Sequence, residues 1–105
     1  MFDMNEMMKK AKEMSGQMQQ IQEELARKEI TADAGGGMAQ ATVNGRLELI
    51  RLRIDKAKLD MSDVELVEDV VVAAVNAAQV RAGQMLKEEM GRKAAALGLP
   101  PGMLG

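Results

Sequence analysis

The sequence predicts an α+β fold: an N-terminal helix, a three-stranded antiparallel sheet and a long C-terminal helix, assembled as a homodimer. Three observations predict it. Met4, Met7, Ala11, Met14, Met18, Ile21 and Leu25 recur at alternating spacings of three and four, the seam of a helix that packs against one partner helix. Ala39, Ala41 and Val43 alternate with polar residues and run into Asn44-Gly45, a strong short-range hairpin signal. From Leu66 to Met85 apolar residues return at helical spacing in a stripe broad enough to face a core.

The first helix is expected over residues 3–28, which are rich in Met, Gln, Glu, Lys and Ala, all good helix formers. Asp3 is placed to cap its start. Gly16 falls at the outermost heptad position, where it weakens the helix by roughly 1 kcal/mol without interrupting the seam. The positions flanking the seam carry little charge, so the pairing direction, parallel or antiparallel, is left open. At Glu29 the period changes, and strands are expected at about 29–34, 38–43 and 46–54. Gly35-Gly36-Gly37 joins the first two. Asn44-Gly45 joins the second and third as a type I′ turn, in which both central residues need positive φ. Leu47 and Leu49 then share one face of the third strand, while Ile50, Leu52 and Ile54 share the other. This slip of phase near residues 49–50 points to a bulge or to a strand covered on both sides.

Ser62-Asp63-Val64-Glu65 reads as a capping box opening the second helix, with Ser62 as the cap. This helix is expected over about 62–95, and the acidic residues at its start suit the helix dipole. Residues 1–96 form a single domain in this reading. Residues 97–105, with Pro100-Pro101-Gly102, read as a flexible tail. A helix of about 30 residues spans roughly 45 Å, more than the diameter of a compact domain this size. Both helices therefore overhang the sheet, and their apolar stripes call for a second copy of the chain.

Composition narrows the function. The chain has 105 residues, 47% of them hydrophobic, with no Cys, His, Trp or Tyr and a single Phe. Disulfides and Cys/His metal sites are excluded. There is no apolar signal segment and no run of 18 or more apolar residues, so a soluble cytoplasmic protein is expected. The net charge is only −2, and its distribution is more informative than its sum. Residues 46–58 hold Arg46, Arg51, Arg53, Lys56 and Lys58 against Glu48 and Asp55, a net of +3. Residues 63–69 hold a net of −4 and residues 81–93 a net of +2, while residues 1–28 balance.

Several strings occur together in order. They are Met4-x-x-Met7-Met8-Lys9-Lys10-Ala11 continuing through Met14 and Gln17-Met18-Gln19; Ala41-Thr42-Val43-Asn44-Gly45 followed by Leu52-Arg53-Ile54-Asp55; Leu66-Val67-Glu68-Asp69 with Ala73-Ala74-Val75-Asn76-Ala77-Ala78; and Leu99-Pro100-Pro101-Gly102. Over nearly its full length the chain resembles the YbaB/EbfC family of bacterial nucleoid-associated proteins. The resemblance implies an intertwined α/β homodimer whose helices project like tweezers, and DNA binding without enzymatic activity. It assigns no DNA contact to any particular lysine.

The remaining motifs have ordinary explanations. The triple glycine is followed by Met38-Ala39 rather than the Lys-Ser/Thr of a phosphate-binding loop. Asp60, Asp63, Glu65, Glu68 and Asp69 lack the spacing of a calcium loop and read as a solvated helix start. Without His or Cys, catalysis would need Ser or Thr with Lys, or a carboxylate pair, and neither constellation is present. No cofactor, metal, membrane or small-molecule substrate is expected.

Candidate DNA contacts come from charge placement. Lys9, Lys10 and Lys12 lie near the free end of the first helix, and Lys87, Arg92 and Lys93 near the free end of the second. Arg51 and Arg53 share one face of the third strand, and that face either meets phosphate or is a solvated edge that resists aggregation. The leading reading is a nucleoid-associated homodimer that binds double-stranded DNA through backbone electrostatics, with a role in nucleoid organisation and gene regulation. One aromatic residue leaves no platform for stacking single-stranded bases. The low net charge favours an alternative, a protein-interaction adaptor for replication or recombination machinery with weak or no direct DNA contact.

Overall fold

In the computed structural model, which describes residues 3–98, helix α1 (Met4–Ala26) leads into strands β1 (Glu29–Ala34), β2 (Ala39–Asn44) and β3 (Leu49–Ile54), and helix α2 (Val64–Ala96) follows. The strands form an antiparallel meander in the order β1-β2-β3. The expected tail lies, from Leu99 onward, outside the described residues.

Each boundary has a local cause. The Asp3 carboxylate accepts from Asn5 N–H and caps α1. Gly35, Gly36 and Gly37 all take positive φ to turn β1 into β2. The cap of α2 is Asp63, which accepts from Leu66 N–H at 3.2 Å, and not Ser62 as expected. Both are good caps, but the Ser62 hydroxyl already donates to Asp60 at 2.6 Å. That hydroxyl and the Ser62 N–H hold the Asp60 carboxyl below its usual value.

The β2–β3 connection also departs from expectation. It is longer than a two-residue turn, so β3 opens at Leu49 rather than Arg46. The positive φ, 63°, falls on Leu47. The Asn44 side chain organises the loop by accepting from Arg46 N–H and Glu48 N–H. Gly45 serves a tertiary purpose instead: its N–H donates to Ala26 O, and a Cβ there would overlap the Leu25 carbonyl. This glycine lets the turn lie directly on the end of α1.

The phase slip in β3 is a bulge. Thr42 pairs with Arg51 and Val43 with Leu49, leaving Ile50 as the extra residue. The bulge corrects the expected faces. Leu49, Leu52 and Ile54 oppose Val43, Ala41 and Ala39, so all three lie on the face that carries the core.

That core is made of small residues. Ala74, Ala78 and Ala82 of α2 sit at successive turns and are fully buried, alongside Ile30, Ala32, Ala39, Ala41, Val43, Leu59 and Val70. Alanine lets the helix lie close to β1 and β2, but each methyl contributes little, at about 0.8 kcal/mol per buried carbon. Among the described residues, the largest side chain fully removed from solvent is Val43. The helix covers β1 and β2 and leaves the apolar residues of β3 exposed: Leu49, Leu52, and Ile50 at the bulge. On the opposite face, Thr31 and Thr42 share a hydrogen bond of 2.8 Å beside the polar residues Gln40, Arg51 and Arg53.

With 33 residues, α2 is about 50 Å long. It crosses the sheet and continues past it, antiparallel to α1. The result is a rod of 73 × 20 × 17 Å.

Candidate nucleic-acid interface

The seam of α1 divides into two parts. Leu25 is 2% and Ile21 9% exposed, packed where α1 meets the last turns of α2, and Met18 is half-buried. Leu25, Leu86, Met90 and Gly45 line a common groove of about 470 Å³. Met14, Met7 and Met4 are 42%, 52% and 75% exposed, and Ala11 is exposed with them. Helix α2 ends beside Gln17 and Ile21, so residues 4–16 of α1 project alone for about 20 Å.

Ion pairs clasp the two helices where the seam is buried. Lys93 donates to Glu24 at 2.9 Å, and Glu89 takes both Lys28 at 3.4 Å and Arg92 at 2.6 Å. The Lys93 hydrogen bond, then its charge, holds the Glu24 carboxyl below the usual 4.5. Arg51 reaches across β2 to Glu29 at 3.4 Å. Arg81 donates to Thr31 O and Gln79 to Leu47 O, stitching α2 to β1 and to the turn.

The basic residues selected from sequence are therefore not equivalent. Lys93, Arg92 and Arg51 have acidic partners. Lys9, Lys10, Lys12, Lys87 and Arg53 form no ion pair among the described residues. The two helix clusters do not converge at one tip: Lys93 lies beside Glu24, while Lys9, Lys10 and Lys12 sit on the stretch of α1 that α2 never reaches. Two further basic groups, Arg27 and Arg46, line a groove of about 410 Å³ with Glu23, Asn44 and Glu48. The dense basic run from Arg46 to Lys58 was the signal that could have found Arg46. Arg27 gave none, because the turn that approaches it is distant in sequence.

A rod with a lone projecting basic helix and no compact catalytic cleft is suited to contacting an extended polyanion. The profile of the YbaB/EbfC DNA-binding family matches residues 1–97. The chain belongs to that family. It is 41% identical over 99 residues to a nucleoid-associated protein of Desulfotalea psychrophila, covering 94% of this chain and 93% of the relative. It is 42% identical over 99 residues to one of Thermoanaerobacter sp. (94% and 89% covered) and 43% over 98 residues to one of Xanthomonas campestris (93% and 91%). The crystal structure of an uncharacterized protein from Helicobacter pylori superposes with a TM-score of 0.69 at 25% identity and full coverage of both chains. This YbaB/EbfC member thus shares the family's helix–sheet–helix order, and no helix among its described residues is long and apolar enough to cross a membrane.

Proposed function

We propose that the chain is a nucleoid-associated protein that binds double-stranded DNA as a homodimer, through Lys and Arg contacts to backbone phosphates. It acts in the cytoplasm on the nucleoid, with a role in nucleoid organisation and gene regulation. The observation that carries this reading is the projecting part of α1. In its heptad frame Lys9, Lys10 and Lys12 occupy positions outside the seam, so they stay accessible when Met4, Met7, Ala11 and Met14 are covered. Each cation that meets a phosphate releases condensed counterions, which is a sequence-independent source of affinity.

Dimerisation is supported by where the large apolar residues lie. The core of the single chain is mostly alanine, while Met4, Met7, Met14, Leu47, Leu49, Ile50 and Leu52 are exposed. An inverted distribution of this kind marks an association surface. A second copy covering the Met seam and β3 would bury large side chains that one chain leaves in water.

Fluorescence anisotropy with a labelled duplex at two salt concentrations tests the reading. Binding that weakens steeply with salt and varies little with sequence is expected. Undetectable binding at low salt would replace it with the adaptor reading, which the net charge of −2 and the adaptable Met surface favour.

A further inference from the structure

At the end of the sheet remote from α1, Arg53, Lys56 and Lys58 line one concave surface of about 430 Å³ together with Gly37, Gln40, Ile54 and Asp55. The fold assembles this surface from three places. Arg53 is on β3, opposite Gln40 of β2. Lys56 and Lys58 follow β3 in the turn that Asp55 ties back through its N–H to Met38 O. Gly37 belongs to the glycine loop, and Lys58 Nζ lies over that loop at 3.4 Å from Gly36 O. A Cβ on Gly37 would stand 3.2 Å from Lys58 Nζ, so the glycine keeps room for the ammonium there.

The neighbouring acids are already engaged by the chain itself. Asp55 accepts from Ala57 N–H, Asp60 from Ser62 N–H and Oγ–H, and Asp63 from Leu66 N–H. Asp33 lies one strand beyond, paired with Gln40, and makes no ion pair with Arg53. The three cations form no ion pair among the described residues. The cradle therefore holds three positive groups facing one carboxylate that is committed to its own turn.

We propose that Arg53, Lys56 and Lys58 form a phosphate-binding cradle, and that a backbone phosphate of duplex DNA is its ligand. The proposal rests on the DNA-binding reading and extends it. Lys9, Lys10 and Lys12 lie towards one end of a molecule 73 Å long and this cradle towards the other, so a protomer contacts DNA at two places separated by most of the rod. That length corresponds to about 20 base pairs at 3.4 Å per step. Charge complementarity selects the occupant: with a single aromatic residue in the chain there is no surface for stacking bases, and a guanidinium beside two ammonium groups suits phosphate oxygens.

The test compares the full chain with an Arg53→Gln/Lys56→Gln/Lys58→Gln variant on a duplex of about 40 base pairs across a salt series. We expect affinity near physiological salt to fall about tenfold or more, and the log–log salt slope to flatten by up to about 2.7, at about 0.9 per lost phosphate contact. A Lys56→Arg/Lys58→Arg variant should keep wild-type binding, because the charge is retained. Circular dichroism should show the same fold in all three proteins, since the altered side chains are exposed. An unchanged affinity and slope in the Gln variant overturns the cradle; if the Lys9→Gln/Lys10→Gln/Lys12→Gln variant still weakens, the DNA-binding reading stands without it. A wild-type chain that binds no duplex at low salt overturns both.

Discussion

The two parts of α1 carry one uninterrupted heptad seam and meet opposite fates. From Met18 to Leu25 the seam is packed against the end of α2, closed over by the Gly45 turn and flanked by the Glu24–Lys93 and Lys28–Glu89 pairs. From Met4 to Met14 the same spacing and residue types stand in solvent. A heptad specifies which face of a helix will be buried. It does not specify the partner. In this chain the partner runs out because α2 ends at Ala96, and the unused stretch of seam stays available to another molecule. Lys9, Lys10 and Lys12 belong to the part that α2 does not reach.

The largest effects are expected in the packed part. Leu25→Ala empties a fully enclosed site and should cost about 2–5 kcal/mol. Gly45→Ala drives a methyl into the Leu25 carbonyl, where backbone cannot yield cheaply, and should cost about 3 kcal/mol. Chemical denaturation of both variants measures this. A loss below about 1 kcal/mol in each would mean that the α1–α2 junction does not hold the fold together.

In the exposed part the same kind of change should act on assembly. Met7→Glu with Met14→Glu should move the sedimentation mass from near twice 11.4 kDa towards a single chain, because buried like charges across the seam are costly. A wild-type protein that sediments as a monomer at micromolar concentration removes the dimer altogether.

Sharper still is a substitution that spares the seam. Lys9→Gln, Lys10→Gln and Lys12→Gln together should leave mass and melting temperature unchanged, lower affinity for all duplexes alike, and flatten the salt slope by up to about 2.7. A sequence-selective loss would instead point to base contacts.

The smallest effect sits at the junction of the two parts. Because Lys93 lowers the folded-state value of Glu24, this pair stabilises above the unfolded-chain value of about 4.5, and the contribution is lost as pH falls through the lowered folded value. Glu24→Gln should therefore flatten the acid side of the stability profile and leave neutral pH nearly untouched, as befits an exposed pair. An unaltered acid limb would show that the clasp does not form in solution.

Local chemistry was legible in the residues. The Asp3 cap, the switch from helical to alternating period at Glu29, the glycine turn and the broad α2 stripe all depend on neighbours within a few positions. The phase slip near residue 50 announced the bulge for the same reason. Of the candidate interface, the basic residues were legible as types and clusters, but not which of them stay uncommitted.

Those remaining features needed distant segments brought together. Gly45 reads as a turn residue, yet its φ is ordinary and its missing side chain makes room for the Leu25 carbonyl, twenty residues upstream. Ser62 and Asp63 are both good caps, and Asp60 decides between them by taking the serine hydroxyl. The face of Leu49 depends on the register against Val43. Lys93 and Lys9 are the same residue type at comparable distances from their chain ends, but α2 delivers Lys93 to Glu24 while nothing reaches Lys9. Periodicity and capping follow from short-range sterics and hydrogen bonding, which the order of residues contains. Partner choice follows from where elements of unequal length come to an end in space, and only the packed structure decides that.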